Sequence, residues 1–343
     1  MAEPKLQLPA RIGKYELVEF LGGGMSHVYR AQDTVLGRTV ALKILTEAGV
    51  SDVESKARFL QEARMASNIS HENIISVYDF GEDRGRPFIV MEFLRGESLR
   101  DAIKANRTGD IANKLNIALQ IGRALEYIHT KKIIHRDIKP ENVHIDAAGR
   151  IKLMDFGIAK AEGLSLTRAG FTLGTPYYMA PEQVLGHQLT GQVDVYGFGV
   201  LLFELLSGLK PISGDTVERI FNQILYEPLN LDPLRAAAVP APVFDLITHC
   251  TAKQPAQRMQ TFTEVCAELQ SSINKLGKPH AVPAVRRPAV STPPPAPSTA
   301  QPPAQTMGLP AAFRSQTALM VAAGLGMLVL LSLLYLLLRA LRI

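Results

Sequence analysis

Apolar and polar side chains alternate through residues 15–45, broken by glycines at 22–24 and by the turn-like stretch 33–38. A period of two in runs this short predicts three antiparallel strands joined by tight turns. Residues 55–67 change period, with Phe59, Leu60, Ala63 and Met65 recurring among charges at helical spacing. Two more apolar runs, 75–80 and 87–91, read as strands. From Gly96-Glu97-Ser98 the pattern becomes mainly helical and stays so to about Leu276. The predicted class is α+β: an N-terminal extension (1–14), a small β-rich lobe (15–92) and a larger helical lobe (93–275).

Both regularities stop there. Residues 276–314 are rich in Pro, Ala, Ser, Thr and Gln, a composition that cannot bury enough apolar surface to fold alone. A disordered, semi-extended linker is expected. Residues 315–338 then carry 24 positions without a charge, bounded by Arg314 and Arg339. As a helix they span ~36 Å, against ~30 Å of hydrocarbon in a bilayer. One transmembrane helix is expected, with a short tail at 339–343. Residues 1–14 are polar and proline-broken, so no secretory leader is expected.

Dividing the charge in this way changes its meaning. The net charge is +5, yet from Gly277 onward there are six Lys or Arg and no acidic residue. The preceding 276 residues hold 31 basic and 32 acidic groups. That balance gives no ground for a nucleic-acid-binding surface. The two cysteines, Cys250 and Cys266, lie in apolar helical surroundings and are expected as reduced thiols.

The chemistry-bearing residues fall at intervals along the two lobes. Leu21-Gly22-Gly23-Gly24-Met25-Ser26-His27-Val28 is a glycine turn between strands. Missing side chains there let backbone N–H groups approach phosphate oxygens. A dinucleotide fold would need a helix next, whereas Val28-Tyr29-Arg30-Ala31 continues as strand. In Val40-Ala41-Leu42-Lys43, alternation puts Ala41 and Lys43 on the same face. An inward lysine is costly without an anion, and Glu62 on the following helix is the candidate partner. Further on come His135-Arg136-Asp137-Ile138-Lys139-Pro140-Glu141-Asn142 and Asp155-Phe156-Gly157. They place a proton acceptor, a cation and two hard oxygen donors close together, which is what phosphoryl transfer requires.

Residues from about Gly13 to Ser271 resemble a protein kinase domain, closest to the bacterial eukaryotic-like Ser/Thr kinases. The resemblance implies a bilobal protein kinase fold using ATP with Mg²⁺ or Mn²⁺. It assigns Asp137 as the base and Lys139 as the lysine that steadies the γ-phosphate. Asn142 and Asp155 become the metal ligands. ATP would be held by Leu21, Gly22, Gly23, Gly24, Ser26, Val28, Ala41, Lys43 and Glu62, with Met91-Glu92-Phe93-Leu94 as the hinge that reads adenine. It also pairs Glu182 with Arg258 and sets Asp194 under the catalytic loop. Lys139-Pro140-Glu141 and Gly174-Thr175-Pro176-Tyr177-Tyr178 resemble Ser/Thr rather than tyrosine kinases, with Thr175 in the substrate loop.

One departure stands out. The glycine turn is one residue shorter than the bacterial pattern Leu-Gly-x-Gly-Gly-Met, so weaker ATP affinity is expected. Arg136 before the base implies control by phosphorylation, with Thr167 the first candidate and Thr172 the second. Ala318, Ala322 and Gly326 form a small-residue stripe on which two membrane helices could pair as a homodimer. ATP use and reduced thiols put the kinase domain in the cytoplasm as a single-pass membrane protein acting on protein Ser/Thr hydroxyls. A pseudokinase-like membrane scaffold is the alternative, and the short glycine turn is its support.

Overall fold

The computed structural model describes residues 8–155 and 176–276. An edge strand precedes the first predicted one. β1 (Ala10–Ile12) pairs with β2 (Tyr15–Gly23), Ala10 lying opposite Leu17. β3 (Ser26–Asp33) and β4 (Arg38–Leu45) follow as antiparallel neighbours, as the alternation predicts. On β4, Val40, Leu42 and Ile44 face a core with Leu17, Tyr29 and Ala31. Leu45, two residues on from Lys43, joins Phe59, Ala63 and Ile89 on the opposite side of the sheet. Phe59 and Ala63 belong to α2 (Val53–Ala66). A single-turn helix, α1 (Glu47–Ser51), stands before it, capped by the Thr46 hydroxyl.

β5 (Val77–Asp83) and β6 (Arg86–Glu92) complete a six-stranded sheet of order β1-β2-β3-β4-β6-β5. β5 starts two residues later than the apolar run suggests. The backbone of residues 73–75 is taken by Leu153 instead, through Ile75 N to Leu153 O at 3.0 Å and Leu153 N to Asn73 O at 2.8 Å. Arg84 and Gly85, both at positive φ, then close a two-residue hairpin.

The second lobe is helical but opens with strands that the helical period hides. β7 (Glu97–Ser98), β8 (Val143–Ile145) and β9 (Ile151–Leu153) form a small antiparallel sheet. Two- and three-residue strands are too short to show alternation. The helices are α3 (Leu99–Lys104), α4 (Ile111–Thr130), α5 (Pro181–Val184), α6 (Gln192–Ser207), α7 (Val217–Tyr226), α8 (Asp232–Ala236), α9 (Ala241–Cys250) and α10 (Phe262–Leu276). α6 is apolar nearly all round and is the buried axis of the lobe, packing Phe198, Leu201 and Leu205 into one core with α4, α9 and α10. Among the described residues no helix is long and apolar enough to cross a membrane. The linker and the span expected at 276–338 lie, beyond Leu276, outside them.

Candidate active site

Strand register gathers the first group of residues. Val28 lies opposite Lys43, Gly22 opposite Val28, Lys43 opposite Ile89 and Ala41 opposite Met91. Directly paired residues share a face, so Gly22, Val28, Ala41, Lys43 and Met91 lie together, as alternation on β4 predicts. Leu21 sits in the bulge between Phe20 and Gly22 and is half exposed. The glycine hairpin turns through Gly24, Met25 and Ser26.

Lys43 finds the anion its position demands, and a second one. Its Nζ is 2.8 Å from Glu62 Oε1 on α2 and 2.9 Å from Asp155 Oδ1, 112 residues along the chain. The Lys43 side chain is 14% exposed and that of Glu62 20%. Burial pulls the lysine pKa down, but the two carboxylates outweigh it and hold Lys43 above its ordinary value. The Lys43 charge holds the Asp155 carboxyl below its ordinary range. Burial pushes Glu62 up, against the pull of the same lysine.

The second group comes from the segment between α4 and β8. Asp137 Oδ2 accepts Lys139 Nζ at 2.8 Å and Asn142 Nδ2 at 3.0 Å. Asn142 Nδ2 also donates to the Asp137 carbonyl at 2.8 Å. Both amide hydrogens are therefore spent on Asp137, which leaves the Asn142 side-chain oxygen as an acceptor. Met154 N donates to Asn142 O at 2.8 Å, so β9 delivers Asp155 beside Asn142. Among the described residues no three or more His, Cys, Asp or Glu groups could hold a metal alone. One amide oxygen and one carboxylate fit an ion that takes its remaining ligands from water and nucleotide phosphates, the usual habit of Mg²⁺.

The backbone carrying this set is strained and braced. Arg136 has φ +68° and Asp155 φ +50°, a region non-glycine residues rarely occupy. Asp194 on α6 receives His135 N at 2.8 Å and Arg136 N at 2.7 Å, the support expected of it. His135 is fully buried and neutral by its hydrogen bonds, Nε2 lying 3.0 Å from the Met154 carbonyl while Nδ1 faces Asp137 N at 3.4 Å. Burial depresses its pKa. Arg258 meets Glu182 with two parallel bonds of 2.6 and 2.8 Å, its side chain wholly buried.

Several participants were not legible in the chain. Gln183 accepts Ala180 N at 2.9 Å and donates to the carbonyl of strained Arg136 at 3.0 Å, tying the start of α5 to the segment that carries Asp137. The Glu92 side chain is turned into a clasp, accepting Ser76 N and Lys152 Nζ at 2.8 Å each. The expected hinge role of Glu92 is left to its backbone. Arg100 on α3 joins Glu141 at 2.8 Å and the Tyr178 hydroxyl at 2.8 Å, and Tyr178 donates to Glu204. Phe93 directly follows β6. Thr167, Thr172 and Thr175 lie outside the described residues.

Comparison with known proteins decides the family. The model of the family described as "Protein kinase domain" matches residues 15–269. The chain belongs to the protein kinase family. It is 38% identical over 264 residues to the Ser/Thr-protein kinase PrkC of Bacillus subtilis, covering 76% of this chain and 41% of that protein. It is 37% identical over 321 residues to the Ser/Thr-protein kinase PknA of Mycobacterium tuberculosis, covering 91% of this chain and 69% of that one. The chain thus spans about two-fifths of the length of PrkC. Among solved structures it resembles that of Rad53 residues 1–466 in complex with AMP-PNP, with a TM-score of 0.63 and 28% identity over 76% of this chain and 65% of that one. The bilobal kinase fold and the likeness to bacterial Ser/Thr kinases, both read from the motifs, are borne out.

Proposed function

We propose that this protein is a serine/threonine protein kinase that transfers the γ-phosphate of ATP to hydroxyls of protein substrates. One observation carries the reading: Lys43, held between Glu62 and Asp155, stands in the same fold as an Asp137 oriented by Lys139 and Asn142. Kinase chemistry needs little else, because catalysis is alignment plus charge compensation.

In this reading the hydroxyl oxygen of the acceptor forms a bond to the γ-phosphorus as the bridging oxygen of ADP leaves. The hydroxyl proton passes to Asp137, whose carboxylate is fixed by its two donors. Lys139, 2.8 Å from the same carboxylate, stays beside the transferred group and offsets its charge. Lys43 holds the other phosphates, and Glu62 keeps the lysine aimed. Asn142 and Asp155 would hold Mg²⁺ (or Mn²⁺), which supplies positive charge to the phosphate oxygens.

Control by phosphorylation at Thr167 or Thr172 is part of the proposal. Its support is Arg136, whose Nε is buried without a hydrogen-bond partner among the described residues and which an added phosphate would satisfy. Incubation with γ-labelled ATP tests both readings. Label on Ser and Thr of wild type, mapped to Thr167 or Thr172 and absent from Lys43→Met, is expected. Label that is undiminished in Lys43→Met would overturn them.

The charge-free stretch 315–338 supports a single membrane span, and the use of ATP with reduced thiols supports a kinase domain on the cytoplasmic side. The stripe Ala318, Ala322 and Gly326 supports a homodimer through that helix. The full-length chain should float with vesicles and self-associate in them. Flotation unchanged on deleting 315–343 would contradict the span, and self-association unchanged by Leu at 322 and 326 would contradict the dimer.

A further inference from the structure

The shortened glycine hairpin is not left loose. The β3–β4 ladder pairs Ser26 with Leu45 and then runs one step past the strands, with Thr46 N donating to Met25 O at 3.1 Å. The Thr46 hydroxyl donates to the same oxygen at 2.9 Å and accepts the Gly49 N–H at 3.2 Å. Thr46 is only 5% exposed. A continuous chain of hydrogen bonds therefore runs from the first turn of α1, through one buried hydroxyl, to the carbonyl at the hairpin tip. A hydroxyl that accepts a bond donates a stronger one.

Two glycines leave room for this arrangement. A Cβ on Gly23, at φ +141°, would lie 2.0 Å from Ser26 O, so the tight turn closes only on glycine. A Cβ on Gly49 would lie 2.7 Å from Leu45 Cδ1 and 3.1 Å from the Met25 oxygen that Thr46 grips.

We propose that Thr46 is a positioning residue for the nucleotide, fixing Met25 so that the backbone amides of the short hairpin stay aimed at the phosphates. The inference rests on the ATP-binding reading of the site. A hairpin held in place before binding has less freedom to lose when the ligand arrives, so the missing residue is offset by preorganisation. A role confined to capping α1 would change thermal stability and leave nucleotide affinity alone.

The test uses the full-length chain and titrates a fluorescent Mg-ATP analogue against wild type, Thr46→Val, Thr46→Ser and Gly49→Ala. Thr46→Val keeps the shape and the backbone donor but loses both hydroxyl bonds. It should weaken Kd about five-fold, the worth of roughly one hydrogen bond. KM for ATP should follow, while KM for the acceptor and kcat at saturating ATP change less than about two-fold. Thr46→Ser should restore wild-type affinity. Gly49→Ala should weaken it without touching Thr46. Wild-type Kd in Thr46→Val, even with a lowered melting temperature, would overturn the proposal, as would Thr46→Ser binding as weakly as Thr46→Val. A wild type that binds the analogue but transfers no phosphate would defeat the kinase reading, and the Kd ratios would still decide the role of Thr46.

Discussion

His135 shows how one side chain can serve geometry and set a pH limit together. Its ring is buried between the Met154 carbonyl and the Asp137 amide, with Asp194, Asp137 and Asp155 the charged groups that act on it. Burial outweighs those carboxylates and lowers its pKa. The unfolded chain, at ~6.5, therefore binds a proton that the folded one refuses, and stability falls as pH drops through that value. Lys43 has the opposite sign: its raised pKa contributes stability that is lost only as pH rises beyond the ordinary lysine range. Asp155, depressed, loses its contribution only in strong acid. Between about pH 5 and 9 the Lys43–Asp155 pair should be unchanged while the buried imidazole is felt. Denaturant midpoints should fall between pH 7.5 and 5.5, less steeply in His135→Phe. Equal slopes in the two proteins would refute the assignment. The residues whose side chains make up the site were legible because Lys43, Glu62, Asp137, Asn142 and Asp155 declare themselves by type and spacing. Thr46, Gln183 and Lys152 were not, since each works on a backbone atom or a side chain far along the sequence, and a carbonyl has no letter of its own.

At the scale of elements, the site depends on how short segments are fastened. β8 and β9 are three residues each and bracket the catalytic segment on one side and Asp155 on the other. Their edge pairs with residues 73–75, on the connection that follows α2, which carries Glu62. The helix α2 and the strands β2, β3 and β4 could be read from their period, because each is long enough for its apolar positions to recur. The strands β1, β7, β8 and β9 could not, because two or three residues do not make a period. α5 is only one turn long, yet it carries the Glu182 carboxylate into a two-bond pair with Arg258 beside the α6 N-terminus. Leaving one member of such a pair alone in the interior costs about 3–5 kcal/mol. Arg258→Met should lower stability by about that much, measured by denaturant unfolding. A loss below about 1 kcal/mol, the worth of an exposed pair, would contradict this role.

Across the described residues, a sheet lobe and a helical lobe meet at a shared charge cluster. The sheet lobe supplies Lys43 and Glu62, the helical lobe supplies Asp137, Lys139 and Asn142, and Asp155, just after β9 of the helical lobe, reaches across to Lys43. The Glu92–Lys152 pair joins the lobes again, linking β6 to β9. A chain folded only to present a surface would have no need to hold a lysine between two carboxylates or to keep Arg136 and Asp155 at positive φ. The central claim is that this cluster moves a phosphoryl group. The most direct test follows single-turnover transfer from γ-labelled ATP to an acceptor protein by the full-length chain, with Mg-ATP affinity measured on the same samples, for wild type and Asp137→Asn. Loss of a positioned general base should cut transfer by about 10²–10⁴-fold while ATP affinity stays within about two-fold. Equal transfer by the two proteins, or none by a wild type that binds Mg-ATP, would contradict it.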